Sequence, residues 1–83
     1  MKVYKFYAEW CQPCKMMSKV IKDAGDKITD EIIDINIDEE MMTAINFNVR
    51  GVPTMIIVDE NNKEIKRQSG LLTEDKLLEF LKV

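Results

Sequence analysis

Two cysteines with two residues between them, Cys11 and Cys14 in Trp10-Cys11-Gln12-Pro13-Cys14-Lys15, are the groups best suited to chemistry in this 83-residue chain. Thiols at that spacing can close a small disulfide ring or contribute to a soft-metal site. A structural zinc site takes about four Cys or His ligands in a tetrahedron. The chain has two cysteines and no histidine, so a metal site within it is not expected. A purely structural disulfide stabilises most when it closes a long loop. One that encloses only Gln12 and Pro13 would stabilise little, which leaves a pair that cycles between dithiol and disulfide. The setting gives that reading a mechanism. A β-like run, Val3-Tyr4-Lys5-Phe6-Tyr7, precedes the pair and a helical pattern follows it, so the cysteines fall at a helix N-terminus. Unpaired N–H groups and the positive end of the helix dipole favour an anion there, and hence the Cys11 thiolate over the thiol. Pro13 suits the first turn, because its ring presets a helical φ and its missing N–H falls where no intrahelical acceptor exists.

The elements that must hold this pair follow from periodicity. Val3 to Tyr7 reads as a short, buried strand in which Lys5 is the anomaly. From Pro13 to Ala24, apolar residues recur at helical spacing at Met17, Val20, Ile21 and Ala24, with Met16 beside them, and the two methionines read as core rather than as ligands. Gly25 ends that helix. Glu31 to Asp38 gives a second strand with Ile33, Ile35 and Ile37 on one face and Asp34 and Asn36 on the other. Asp38 then caps a short helix from Glu39 to Phe47, with Glu39 and Glu40 in the first turn where the dipole favours them. Thr54 to Asp59 and Glu64 to Ser69 form an antiparallel hairpin. Gly70 breaks it, Thr73 caps a last helix, and Leu77, Leu78 and Leu81 form its apolar stripe. The order β-α-β-α-β-β-α implies an α/β domain spanning residues 1–83, with a four-stranded mixed sheet and three helices.

Composition excludes several classes. Hydrophobic residues at 46% and charged residues at 33% are an ordinary globular balance. A net charge of −3, with twelve Lys and Arg interleaved among fifteen Asp and Glu, is no nucleic-acid footprint. No apolar run approaches the ~20 residues of a membrane span. Met1-Lys2 leads straight into a strand rather than into a signal peptide, so a cytoplasmic location is expected. A reducing compartment suits cysteines that must become thiols in every cycle.

Phe6-Tyr7-Ala8-Glu9-Trp10-Cys11-Gln12-Pro13-Cys14-Lys15 resembles the active-site segment of thioredoxins. Arg50-Gly51-Val52-Pro53-Thr54, followed by Met55-Ile56-Ile57-Val58, resembles their cis-proline loop and the strand after it. Asn36-Ile37-Asp38 and Gly70 also fall where that family has like residues. The likeness runs from about Val3 to the C-terminus. It implies a minimal, glutaredoxin-sized thioredoxin fold with strand order 2-1-3-4, lacking the family's usual first strand and helix.

The resemblance implies a cycle in which Cys11 attacks a client disulfide and Cys14, one turn in and more buried, resolves the mixed disulfide. It implies a cis Val52-Pro53 bond and a client groove in which the Val52 backbone pairs with an extended segment, bordered by Trp10, Pro53 and Gly70. For Trp10 the residue type alone leaves core packing and partner contact both open. The implied electron donor is a flavoprotein thioredoxin reductase. The implied clients are protein disulfides such as that of ribonucleotide reductase, and the implied state is a monomer without a bound cofactor. Two departures stand out. Gln12 replaces the usual Gly between the cysteines, which bears on redox potential but not on the reaction. Lys5 occupies a strand position where thioredoxins carry a buried Asp, and Asp34 occupies the position of a Lys on the neighbouring strand, so the charges are exchanged. Either Lys5 carries its amine to solvent along its aliphatic stem, or it pairs with Asp34, which would then accept the Cys14 proton. Two alternative functions share these motifs: a glutaredoxin-like enzyme reduced by glutathione, and a non-catalytic binding module of the same fold.

Overall fold

The computed structural model describes residues 1–82. The elements are β1 (Lys2–Tyr7), α1 (Gln12–Ala24), a 3-10 turn (Gly25–Lys27), β2 (Glu31–Asn36), α2 (Met41–Asn46), β3 (Thr54–Val58), β4 (Glu64–Ser69) and α3 (Glu74–Phe80). The sheet order is β2-β1-β3-β4. β1 runs parallel to β2 and antiparallel to β3, and β3 pairs antiparallel with β4. This is the mixed sheet that the element order implied.

Period-2 alternation splits the core into two layers. On one face Val3, Met55 and Ile57 pack with Met17 of α1 and with Leu77 and Phe80 of α3. On the other, Phe6, Ile35, Ile56 and Val58 pack with Ala44 of α2 and the half-buried Phe47. Both faces are covered, so β3 is buried along its whole length and reads as an unbroken apolar run after Thr54. Each large apolar side chain sealed in this way contributes about 1.5–3 kcal/mol, and Phe6, Met17, Ile56 and Leu77 are all at 0% exposure.

Lys5 follows the same alternation and shares the face of Val3, beneath α1. Its register partner on β2 is Asp34.

The boundaries differ from expectation around Asp38. β2 stops at Asn36 and α2 begins at Met41, with Glu40 at the N-cap making no side-chain cap bond. Asp38 is not a cap, since it lies two residues before the N-cap Glu40; its Oδ2 accepts instead from Trp10 Nε1 at 3.0 Å. Met16 is 51% exposed while Met17 is core, so only one of the two methionines packs inside. The α3 stripe is Leu77 and Phe80, with Leu81 packed against them. No helix among the described residues is long and apolar enough to cross a membrane.

Candidate active site

α1 begins at the cysteines because Cys11 is its N-cap, extended at φ −93° and ψ 106°, and Pro13 sits in the first turn. The Cys14 N–H, one of the helix's unpaired donors, points back at Cys11 Sγ at 3.2 Å. The sulfurs are joined as a disulfide, with the Cα atoms 5.3 Å apart, inside the ordinary range for such a bond. Both cysteines are buried, Cys11 at 4% and Cys14 at 3% exposure. The expectation of an exposed Cys11 is for the reduced protein, whereas here the two cysteines are bonded and equally covered. In this disulfide form Cys11 packs with Ala8 and Cys14, and Tyr7, Ile37 and Val52 pack around the three.

The loop before β3 lies on this cluster. Val52-Pro53 is a cis peptide, and the Val52 side chain packs on the cysteine cluster. Pro53 is held from the β4 side, where the Gly70 N–H donates to its carbonyl at 2.8 Å. Gly70 sits at φ +91°, a conformation that suits glycine and is costly for other residues. Thr54 Oγ1 closes the loop by donating to the Gly51 carbonyl at 2.7 Å. Trp10 is 69% exposed and therefore a surface side chain, pinned by its indole to Asp38. The Asp38 N–H in turn donates to the buried Asn36 Oδ1 at 2.9 Å. Cys11, Cys14 and Val52 are thus brought together, while Pro53 joins them through its peptide bond to Val52 and Gly70 through its hydrogen bond to Pro53.

Lys5 is 4% exposed, so its amine does not reach bulk water. Nζ lies 3.3 Å from Asp34 Oδ1, donates to Ser18 Oγ on α1, and stands 5.8 Å from the centre of the Tyr7 ring. The pair forms, but asymmetrically: Asp34 is 60% exposed. Arg67 holds the Glu64 carboxyl below its usual range by a hydrogen bond, and Glu74 raises Lys27 by a hydrogen bond and by charge.

A thioredoxin family profile matches residues 1–83. The thioredoxin of Mycoplasma genitalium is 33% identical over 79 residues, covering 94% of this chain and 76% of that protein. That of Chlamydia caviae is 34% identical over 77 residues, covering 92% and 74%. Among solved structures, a mutant thioredoxin from Halobacterium salinarum superposes with a TM-score of 0.86 at 30% identity, over 98% of this chain and 71% of that one. The chain belongs to the thioredoxin family.

Its Cys11–Cys14 pair makes this family member a thiol-disulfide oxidoreductase, a protein-disulfide reductase. Thioredoxins act on disulfide clients and are reduced by thioredoxin reductase. Two contacts escaped the sequence reading. Ser18 gave no signal, being one polar residue on the wet side of α1; the nearest clue was that a lysine in a central strand needs an acceptor nearby. The Trp10–Asp38 bond was hidden because Asp38 also stood where a helix cap was due.

Proposed function

We propose that Cys11 is the attacking thiol and Cys14 the resolving one. Cys11 thiolate attacks a client disulfide, one client sulfur leaves and takes a proton, and a mixed disulfide is formed. Cys14 then loses its proton and attacks Cys11 Sγ. The Cys11–Cys14 bond forms, the Cys11–client bond breaks, and the client departs as the reduced dithiol while the protein is oxidised. The observation that carries this reading is the Cys14 N–H aimed at Cys11 Sγ from the first turn of α1, a donor that favours a thiolate at Cys11. A lower thiol pKa also lowers intrinsic nucleophilicity, with a Brønsted slope of about 0.4–0.5, so positioning must supply most of the acceleration.

The positioning surface in this reading is Val52 and Pro53, whose backbone pairs with an extended client segment, bordered by Trp10 and Gly70. Pro13 sets the first turn. Asp34 takes up the Cys14 proton through solvent, next to Lys5. The electron donor is a flavoprotein thioredoxin reductase, the clients are protein disulfides such as that of ribonucleotide reductase, and the protein works as a cytoplasmic monomer. The test is insulin reduction driven by thioredoxin reductase in one reaction and by glutathione in another. Turnover with the reductase is expected. Turnover with glutathione alone would make the chain glutaredoxin-like, and turnover with neither would make it a binding module.

A further inference from the structure

The hydrogen bond between Lys5 and Ser18 has a directional consequence. A lysine ammonium only donates, whereas a serine hydroxyl has one hydrogen to give and two lone pairs to accept with. Lys5 Nζ therefore occupies an acceptor site on Ser18 Oγ and leaves the hydroxyl hydrogen free. Among the described residues this is the one hydrogen bond found for the Ser18 side chain. Ser18 lies four residues after Cys14, one helical turn away on the same side of α1. Cys14 and Ser18 also line one small pocket of about 120 Å³, with Tyr7, Ala8, Glu9 and Lys15 as its other walls. That is room for several waters, each of which needs only about 10–15 Å³ of such space.

We propose that Ser18, with its oxygen engaged by the buried Lys5, turns its O–H toward Cys14 and stabilises the Cys14 thiolate, directly or through one water of this pocket. The inference rests on the reading that Cys14 resolves the mixed disulfide. Ser18 is then a positioning residue for the second step, and Lys5 acts through it. A cation behind a hydroxyl makes the donor stronger, so the exchanged charge on β1 favours the anion that must form. The Cys14 proton leaves to pocket water, the thiolate attacks Cys11 Sγ, and the client sulfur departs with the electron pair and is protonated by solvent. The charged and titratable groups that face Cys14 are Glu9, Lys15 and Tyr7 at the pocket and Lys5 with Asp34 behind Ser18. All of them are unchanged in a Ser18 variant.

The test titrates Cys14 alone, in a Cys11→Ser background that keeps a good N-cap, by thiolate absorbance near 240 nm across pH. Ser18→Ala should raise the Cys14 midpoint by about 0.4–1 pH unit, the size expected for one lost hydrogen bond. Ser18→Thr keeps the hydroxyl and should return the midpoint to the parent value. Lys5→Met should raise it as well; should that variant fail to fold, Ser18→Ala and Ser18→Thr decide alone. Coincident curves for parent and Ser18→Ala would overturn the proposal, placing the hydroxyl on solvent or on a helix carbonyl. In the protein with both cysteines, resolution of a preformed mixed disulfide below the midpoint should slow about two- to fourfold in Ser18→Ala, the fall in thiolate fraction being partly offset by the higher intrinsic nucleophilicity of the less acidic thiol. A shifted titration with an unslowed resolution would keep the hydrogen bond and reject the resolving role of Cys14, so the two readings fail separately.

Discussion

Lys5 and Asp34 make an ion pair with one end in the core and one in water, and that asymmetry predicts a particular double-mutant cycle. At their separation of 3.3 Å, two unit charges attract by about 5 kcal/mol at an effective dielectric of ~20 and by about 1.3 kcal/mol in bulk water. Asp34 is 60% exposed, so its loss should fall toward the lower figure, and Asp34→Asn is expected to destabilise by about 1–2 kcal/mol. It strands a buried ammonium with Ser18 as its other partner. Lys5→Met is different. It places an unbranched apolar side chain of similar length on the face of β1 beneath α1 and leaves Asp34 and Ser18 free to be solvated, so its cost should stay within about 1 kcal/mol. Asp34→Asn made in the Lys5→Met background should then cost almost nothing. The assay is urea unfolding followed by far-ultraviolet circular dichroism. With a slope of about 1 kcal/mol/M for so small a domain, the Asp34→Asn midpoint should drop by about 1–2 M. Equal losses for Asp34→Asn in both backgrounds would show that the two charges do not interact and would refute the pairing.

Leu77→Ala should cost about 2–5 kcal/mol, because Leu77 is at 0% exposure between α3 and the sheet. Against a total of about 4–12 kcal/mol for a chain of this length, that is enough to lower the thermal midpoint sharply in a calorimetric scan. Gly70→Ala adds a Cβ that meets nothing within 4 Å, so its cost of about 1–2 kcal/mol is purely conformational. Since the Gly70 N–H bonds the Pro53 carbonyl, insulin reduction should show a larger rise in KM than fall in kcat. Below pH 4.5, the ordinary value for Glu64, stability should fall as Glu64 protonates through its depressed folded value and lets go of Arg67; Glu64→Gln should flatten that limb of the stability curve. The sign reverses at Lys27. Its raised value means that its contribution is complete below 10.5 and is lost as pH climbs through the folded value, so Lys27→Met should flatten the alkaline limb.

Much of this molecule was legible because its signals are local and repeated. Val3, Phe6, Ile35 and the run from Met55 to Val58 announce strands through branched and aromatic residues, and Cys11, Pro13 and Cys14 announce a helix start whatever the rest of the chain does. Resemblance supplied the strand order and the conformation of Val52-Pro53, which periodicity does not carry. What escaped depends on contacts between distant residues. Asp38 followed by two glutamates is a plausible helix start, but Trp10, 28 residues earlier, takes the carboxylate, and α2 begins at Met41 instead. Met16 and Met17 are equivalent as residue types, and only the direction of α1 over the sheet decides that Met17 is inside. Ser18 was silent for a similar reason: its partner is a buried amine on another element, and a single serine on a helix face has no period to reveal it. The exchange of Lys5 and Asp34 was visible as a pair, while the exposure of Asp34 required the position of β2 at the sheet edge.

The most direct test of the central claim is to trap the intermediate. Cys14→Ser should accumulate a mixed disulfide between Cys11 and a disulfide client, seen by mass spectrometry as the summed mass and reversed by dithiothreitol, because the first attack proceeds and the second cannot. Cys11→Ser should trap little and reduce nothing. Normal turnover by Cys14→Ser, or equal trapping by Cys11→Ser, would contradict the assignment of Cys11 as attacking thiol and Cys14 as resolving thiol.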